Sequence, residues 1–221
     1  MRDSRVALRR WQGAPFSVLG PWLGVSLLIA GGLLLAILVI ATVSEPDSTT
    51  FILPGLTVPA TATDYFHLLY RNSLVLALHA MACVAGFIAG SSLPLSAANR
   101  SGFDRWVHTR AGPLAIGFVV CATTFSLVTQ AFAIGAGAST LAGQLGISPG
   151  VLLLGLLPHA LPELVALFLP LGAWLLASRR KRWDELLAAT IVTVGVAVPV
   201  LLLSAYIELW VSPHLLRALA G

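Results

Sequence analysis

The 221-residue chain is 57% apolar and only 10% charged, with a mean hydropathy of +0.91. A soluble domain carries about a quarter charged residues, so this chain cannot cover a water-facing surface and reads as an integral membrane protein. Its net charge of +4 is clustered between apolar runs, which points to orientation in a membrane and away from nucleic acid.

The expected fold is all-α: a polytopic membrane helical bundle of five transmembrane helices in a single domain over 14–214. A basic segment, 1–13, precedes it and a short tail, 215–221, follows. The basic segment carries Arg2, Arg5, Arg9 and Arg10 and ends near Trp11, which suits headgroup level. The first span is expected over 16–43. No cleavable signal peptide is expected, because this run is too long and no small-residue cleavage pattern follows it. Residues 44–70 form the longest connection. Its apolar stretch Phe51–Leu56 is broken by Pro54 and Gly55, is too short to span and should pack back on the bundle.

The second span is expected over 72–93. His79, Ala82, Cys83, Gly86 and Gly90 fall on one helical face. Apart from the histidine that face is small, so another helix can approach closely; Leu76 is assigned to the lipid side. A basic connection, 94–112, holds Arg100, Arg105 and Arg110. The third span, 113–139, carries a second small face at Ala131, Gly135 and Ser139. An uncharged connection, 140–148, leads to the fourth span, 149–178, which stops at Arg179-Arg180-Lys181-Arg182. Asp184 and Glu185 open the fifth span, 186–211, where acids suit the positive end of the helix dipole. Cys83 and Cys121 lie in apolar runs and read as small core residues.

All Lys and Arg residues except Arg71 and Arg217 fall in alternate segments, 1–13, 94–112 and 179–182. That bias places the N-terminus in the cytoplasm and the C-terminus outside. The Arg-, Ala-, Gly- and Leu-rich composition suggests a bacterial source, hence the bacterial cytoplasmic (inner) membrane.

The chemistry concentrates in the fourth span, at Pro158-His159-Ala160-Leu161-Pro162-Glu163. His159 and Glu163 are spaced i, i+4 and share a helix face. Pro158 and Pro162 each remove a backbone donor and crowd the carbonyl four residues back, so the helix should kink or break here. Ionisable groups in hydrocarbon must face protein or a wet cavity, so the pair reads either as a polar working site or as a structural hydrogen bond that pins two helices. On this topology His159 and Glu163 lie roughly 15 to 21 Å from the outer end of their span, and His79 roughly 10 Å from the outer end of its own, at 1.5 Å per residue. Glu208 and Asn72 stand near outer ends, so His159, Glu163, His79, Glu208 and Asn72 form the candidate polar intramembrane site. His79 alone reads more simply as a helix-to-helix hydrogen bond. A second His beside a His/Glu pair is a weak zinc signal without His-Glu-x-x-His. No nucleophile elbow, P-loop or dinucleotide fingerprint is present. No catalytic residue, metal or cofactor is assigned.

Pro158–Leu164 resembles the Pro-His-Gly-x-x-Glu-Leu motif of the stage II sporulation protein M (SpoIIM-like) family, with Ala160 in place of the glycine. Ser204-Ala205-Tyr206-Ile207-Glu208-Leu209-Trp210-Val211-Ser212-Pro213 is similar to its closing Ala-x-Ile-Glu-x-x-Val-Thr-Pro segment. Asn72-Ser73 and the Gly86/Gly90 helix resemble its Asn-rich second-span start. The third span departs from the family by lacking its usual Asn-Gly. The resemblance covers about residues 15–214. It implies a multi-pass component of a bacterial cell-envelope assembly, a non-enzymatic scaffold from a sporulation-related family. Implied partners are other membrane or envelope proteins, such as a MoxR-type ATPase system with a von Willebrand-type protein, or peptidoglycan-processing proteins. The other reading is a transporter or permease coupled through His159 and Glu163. A broken helix favours it; the odd span count and the lack of an inverted repeat count against it. Besides the lipid bilayer and such proteins, a second copy of the chain is an eligible partner.

Single cysteines introduced at Thr50, Asn99 and Ala220, in a background lacking Cys83 and Cys121, test the orientation. Thr50 and Ala220 should label from outside with an impermeant reagent and Asn99 should not. Outside labelling at Asn99 would overturn the five-span orientation.

Overall fold

The structure, a computed structural model, describes residues 2–92 and 101–220, with backbone alone at 2–5, 10, 92, 103–111, 115 and 220. The end of the second expected span and the first part of the basic connection lie outside the described residues. The helices are α1 (Arg2–Gln12), α2 (Pro15–Val43), α3 (Ala62–Phe87), α4 (Gly102–Leu145), α5 (Pro149–Arg179), α6 (Leu186–Tyr206) and α7 (Ser212–Ala220). A π-helical turn, Ile88–Ser92, ends α3, and a second, Ile207–Val211, joins α6 to α7. Five helical stretches are long and apolar enough to cross a membrane: Pro15–Val43, Ala62–Ser91, Gly112–Leu145, Pro149–Arg179 and Trp183–Leu219.

Local chemistry sets the ends. Thr61 and Asp64 form a reciprocal cap at the start of α3: the Thr61 amide donates to Asp64 Oδ2 (2.8 Å) and the Asp64 amide to Thr61 Oγ1 (3.3 Å). The helix therefore begins at Ala62, not at Asn72, and the preceding connection is correspondingly shorter. At the end of α4, Gly146 takes φ +68° and Ile147 donates to the Ala142 carbonyl (3.0 Å), the bond of a Schellman terminus. So α4 runs past the expected end at Ser139. Ser148 then caps α5 through the Val151 amide (3.3 Å), with Pro149 at the first helical position. Residues 215–220 of the tail are helical, as part of α7. Pro158 and Pro162 do not break α5, which is one helix from Pro149 to Arg179. Each proline costs one ladder bond, and the bonds on either side carry the helix through.

The chain divides into two compact units, and α2 to α6 supply residues to both. The first comprises Met1–Ser26, Val75–Thr124 and Leu167–Ala197. Its core packs Trp11 and Trp22, edge to face at 5.2 Å, with Leu169, Ala173, Ala188 and Ala189. Three side chains reach backbone carbonyls within one stretch of α5. Ser26 donates to Phe168 (3.1 Å), His79 to Leu167 (2.9 Å) and Cys83 to Pro170 (3.1 Å). Gly86 and Gly90 lie on the tight side of α3. A Cβ on Gly86 would stand 2.6 Å from Trp174 Nε1, and one on Gly90 would overlap Trp183. Leu76 is 5% exposed, so its assignment to lipid is corrected; Leu78, at 58%, is outward.

The second unit comprises Leu27–Leu74, Phe125–Ala166 and Val198–Gly221. A Cβ on Gly135 would stand 2.7 Å from the Ile40 side chain. The connection between α2 and α3 is fastened to α4. Ser139 donates to the Ser44 carbonyl (2.7 Å), the Asp47 amide to Thr140 Oγ1 (3.2 Å), and Gln144 bonds both the amide and the carbonyl of Phe51 (3.0 and 3.1 Å). Hydrogen bonds from the Thr49 hydroxyl and amide hold the exposed Asp47 carboxyl below its ordinary range. Tyr206 and Trp210 stack at 5.1 Å and Tyr65 meets Trp210 at 5.8 Å, an aromatic group suited to an interface.

A leucine at position 86 must push aside an indole and Leu186. Gly86→Leu is expected to destabilise by about 1–3 kcal/mol and to lower folded yield sharply, whereas Leu78→Ala should leave yield within a factor of about two. Size-exclusion recovery in detergent measures both. Equal tolerance would contradict the packing.

Candidate functional site: a polar cavity on α5

The site lies wholly in the second unit. The i, i+3, i+4 spacing of α5 sets Leu156, His159, Ala160 and Glu163 along one face. They line a cavity of about 270 Å³. Leu34, Ile37, Leu38 and Ala41 of α2, Ile134 and Ala138 of α4, and Leu152 of α5 complete its apolar walls, and Glu208 enters from the second π turn. Three ionisable side chains thus share an otherwise apolar space.

His159 is 6% exposed, and its Nδ1 lies 2.7 Å from Ser212 Oγ. A hydroxyl donates or accepts, so the pair serves either ring tautomer. That distance also suits a nucleophile and its base. Ser212, however, is 2% exposed, and no carboxylate bonds the other ring nitrogen among the described residues. The bond therefore joins α5 to α7 and orients the ring.

The π turn that carries Glu208 has an identifiable cause. Pro213 has no N–H to give the Leu209 carbonyl four residues back, and the helix widens before it. Gly55, at φ +83°, seats against that carbonyl more closely than any side chain permits. Arg217 then donates to the carbonyls of Gly55 (2.6 Å) and Leu56 (3.2 Å), locking the connection over α7.

Glu163 is half-buried, and Asn72, 8% exposed, stands beside it. The two do not meet hydrogen-bond geometry: Glu163 Oε2 and Asn72 Nδ2 are both buried without a partner. Glu163 and Arg71 are the charged groups near enough to act on Glu208. Asn72, His159, Glu163 and Glu208 thus gather in one unit. His79 belongs to the other, where its Nδ1 proton goes to the Leu167 carbonyl and its ring meets Phe168 edge-on at 5.3 Å. Among the described residues no three His, Cys, Asp or Glu side chains are grouped to hold a metal ion.

Sequence reasoning missed Ser212 and the α2 wall. The Ser-Pro pair at 212–213 repeats Ser148-Pro149 in sequence, but Ser212 has helical backbone and its hydroxyl meets His159 instead of capping. Nothing in the α2 sequence singles out Leu34, Ile37 and Ala41.

Comparison with protein-family models, curated proteins and solved structures gave no match.

Ser212→Ala leaves the His159 Nδ1 without its partner. It is expected to lower stability by about 1 kcal/mol, and Ser212→Thr should restore most of that. Thermal unfolding in detergent is the measurement. An unchanged Ser212→Ala would mean that the bond contributes nothing.

Proposed function

We propose that this protein is a multi-pass component of a bacterial cell-envelope assembly of the SpoIIM-like kind, working without catalysis of its own. In this reading its N-terminus is cytoplasmic, its C-terminus lies outside, and the cavity at His159, Glu163, Glu208 and Asn72 is its working site. One observation carries the reading. The three separated stretches that resemble the family adjoin one another: His159 bonds Ser212, Asn72 stands beside Glu163, and Glu163 acts on Glu208. Residues far apart in sequence that share a motif and also share a site are better explained by a common task than by separate packing needs. Its partners would be an ATPase system of the MoxR type or peptidoglycan-processing proteins.

A transporter is the second reading, and the cavity favours it, because a pure scaffold needs no unfilled space beside ionisable groups. The absence of a break in α5 counts against it.

Glu163→Gln keeps the size of the side chain while removing its charge and proton. The variant should insert and remain folded, with thermal stability within about 1 kcal/mol of the parent, yet fail to complement a deletion strain. A stable, fully complementing Glu163→Gln would leave the cluster with a structural role only.

A further inference from the structure

The cavity has the chemistry of a particular ligand class. Its volume, about 270 Å³, equals roughly nine water-sized units of ~30 Å³. A proton relay needs no such space, and a metal ion would need grouped ligands that the described residues do not supply. The walls are aliphatic, so most of an occupant's surface must be apolar.

The polar groups restrict the occupant further. Two carboxyl side chains line the space, while Arg71, the cation acting on Glu208, is exposed. Glu163 has no ion-pair partner among the described residues. A carboxylate or phosphate ligand would meet two carboxyl groups and no cation on the cavity wall. A neutral hydrocarbon would leave Glu163 Oε2 without a donor, although this atom is buried and unpartnered. The polar end therefore lacks a donor at Glu163 Oε2; Asn72 Nδ2, buried beside it, is itself a donor and would need an acceptor. An ammonium supplies three donors and a positive charge at that end, and an alkyl body matches the walls.

We propose that the cavity binds an amphiphile whose ammonium group sits between Glu163 and Glu208 and whose apolar body lies along Leu34, Ile37, Leu152 and Leu156. The proposal rests on the reading of this cavity as the working site. The ammonium can belong to a free lipophilic amine or to a lipid headgroup.

The test uses the full chain in a non-ionic detergent at neutral pH, with binding of n-octylammonium, 1-octanol and octanoate measured by calorimetry. Octylammonium should bind at least tenfold more tightly than octanol, and octanoate should not bind. Glu163→Gln and Glu208→Gln should each weaken octylammonium at least tenfold while leaving octanol unchanged. Equal binding of octanol and octylammonium by the wild-type protein overturns the proposal, and that comparison stands even if a variant does not fold. So does undiminished binding by both variants. Repeating the measurement in nanodiscs containing a primary-ammonium lipid, against choline-headgroup nanodiscs, separates the sources: lost octylammonium binding assigns the site to the headgroup, retained binding to a free amine. Binding as expected with a fully complementing Glu163→Gln would remove the envelope role alone. Absent binding with a non-complementing Glu163→Gln would remove the ligand alone.

Discussion

The hydrogen bonds that side chains send to helix backbones carry much of this fold's specificity. In hydrocarbon, apolar contact between helices adds little over contact with lipid, so close packing and polar bonds must select the partner face. α5 receives most of them. Ser26, His79 and Cys83 converge on its carbonyls between Leu167 and Pro170 in one unit, and Ser212 meets its His159 in the other. The close faces complete the arrangement. Gly86 against Trp174, and Gly172, where a Cβ would stand 2.8 Å from the Trp22 carbonyl, bring the donors within reach.

The same need explains why the long connection is ordered. It runs from α2 to α3 without a helix of its own, yet its backbone is bonded by Ser139, Thr140, Gln144 and Arg217. Gly55 lets it cover the π turn at Pro213, and that turn sets the position of Glu208. Cavity geometry therefore depends on a loop residue that never touches the cavity itself.

Five apolar runs were legible in the sequence because hydropathy is a local property. Helix starts were less so: the Thr61–Asp64 cap lies in polar sequence, before apolar periodicity begins. Of the kink or break expected at Pro158 and Pro162, the break is absent, since a proline's lost bond need not interrupt a helix supported on both sides. Leu76 was misassigned because a helix with apolar residues all round does not reveal its lipid face. At the site, His159 and Glu163 announce themselves by charge in an apolar run and by i, i+4 spacing. Ser212, and the wall formed by Leu34, Ile37 and Ala41, depend on packing between distant segments, which no local pattern encodes.

The central claim is that His159, Glu163 and Glu208 face a space built to be occupied. An experimental density map of the protein in lipid nanodiscs, at a resolution that separates waters, tests it directly. The account predicts non-protein density within hydrogen-bonding distance of Glu163 Oε2, with the aliphatic walls held apart. A collapsed space, with the leucines in contact across it and Asn72 Nδ2 bonded to Glu163 Oε2, would contradict it and leave the cluster as a bond between helices.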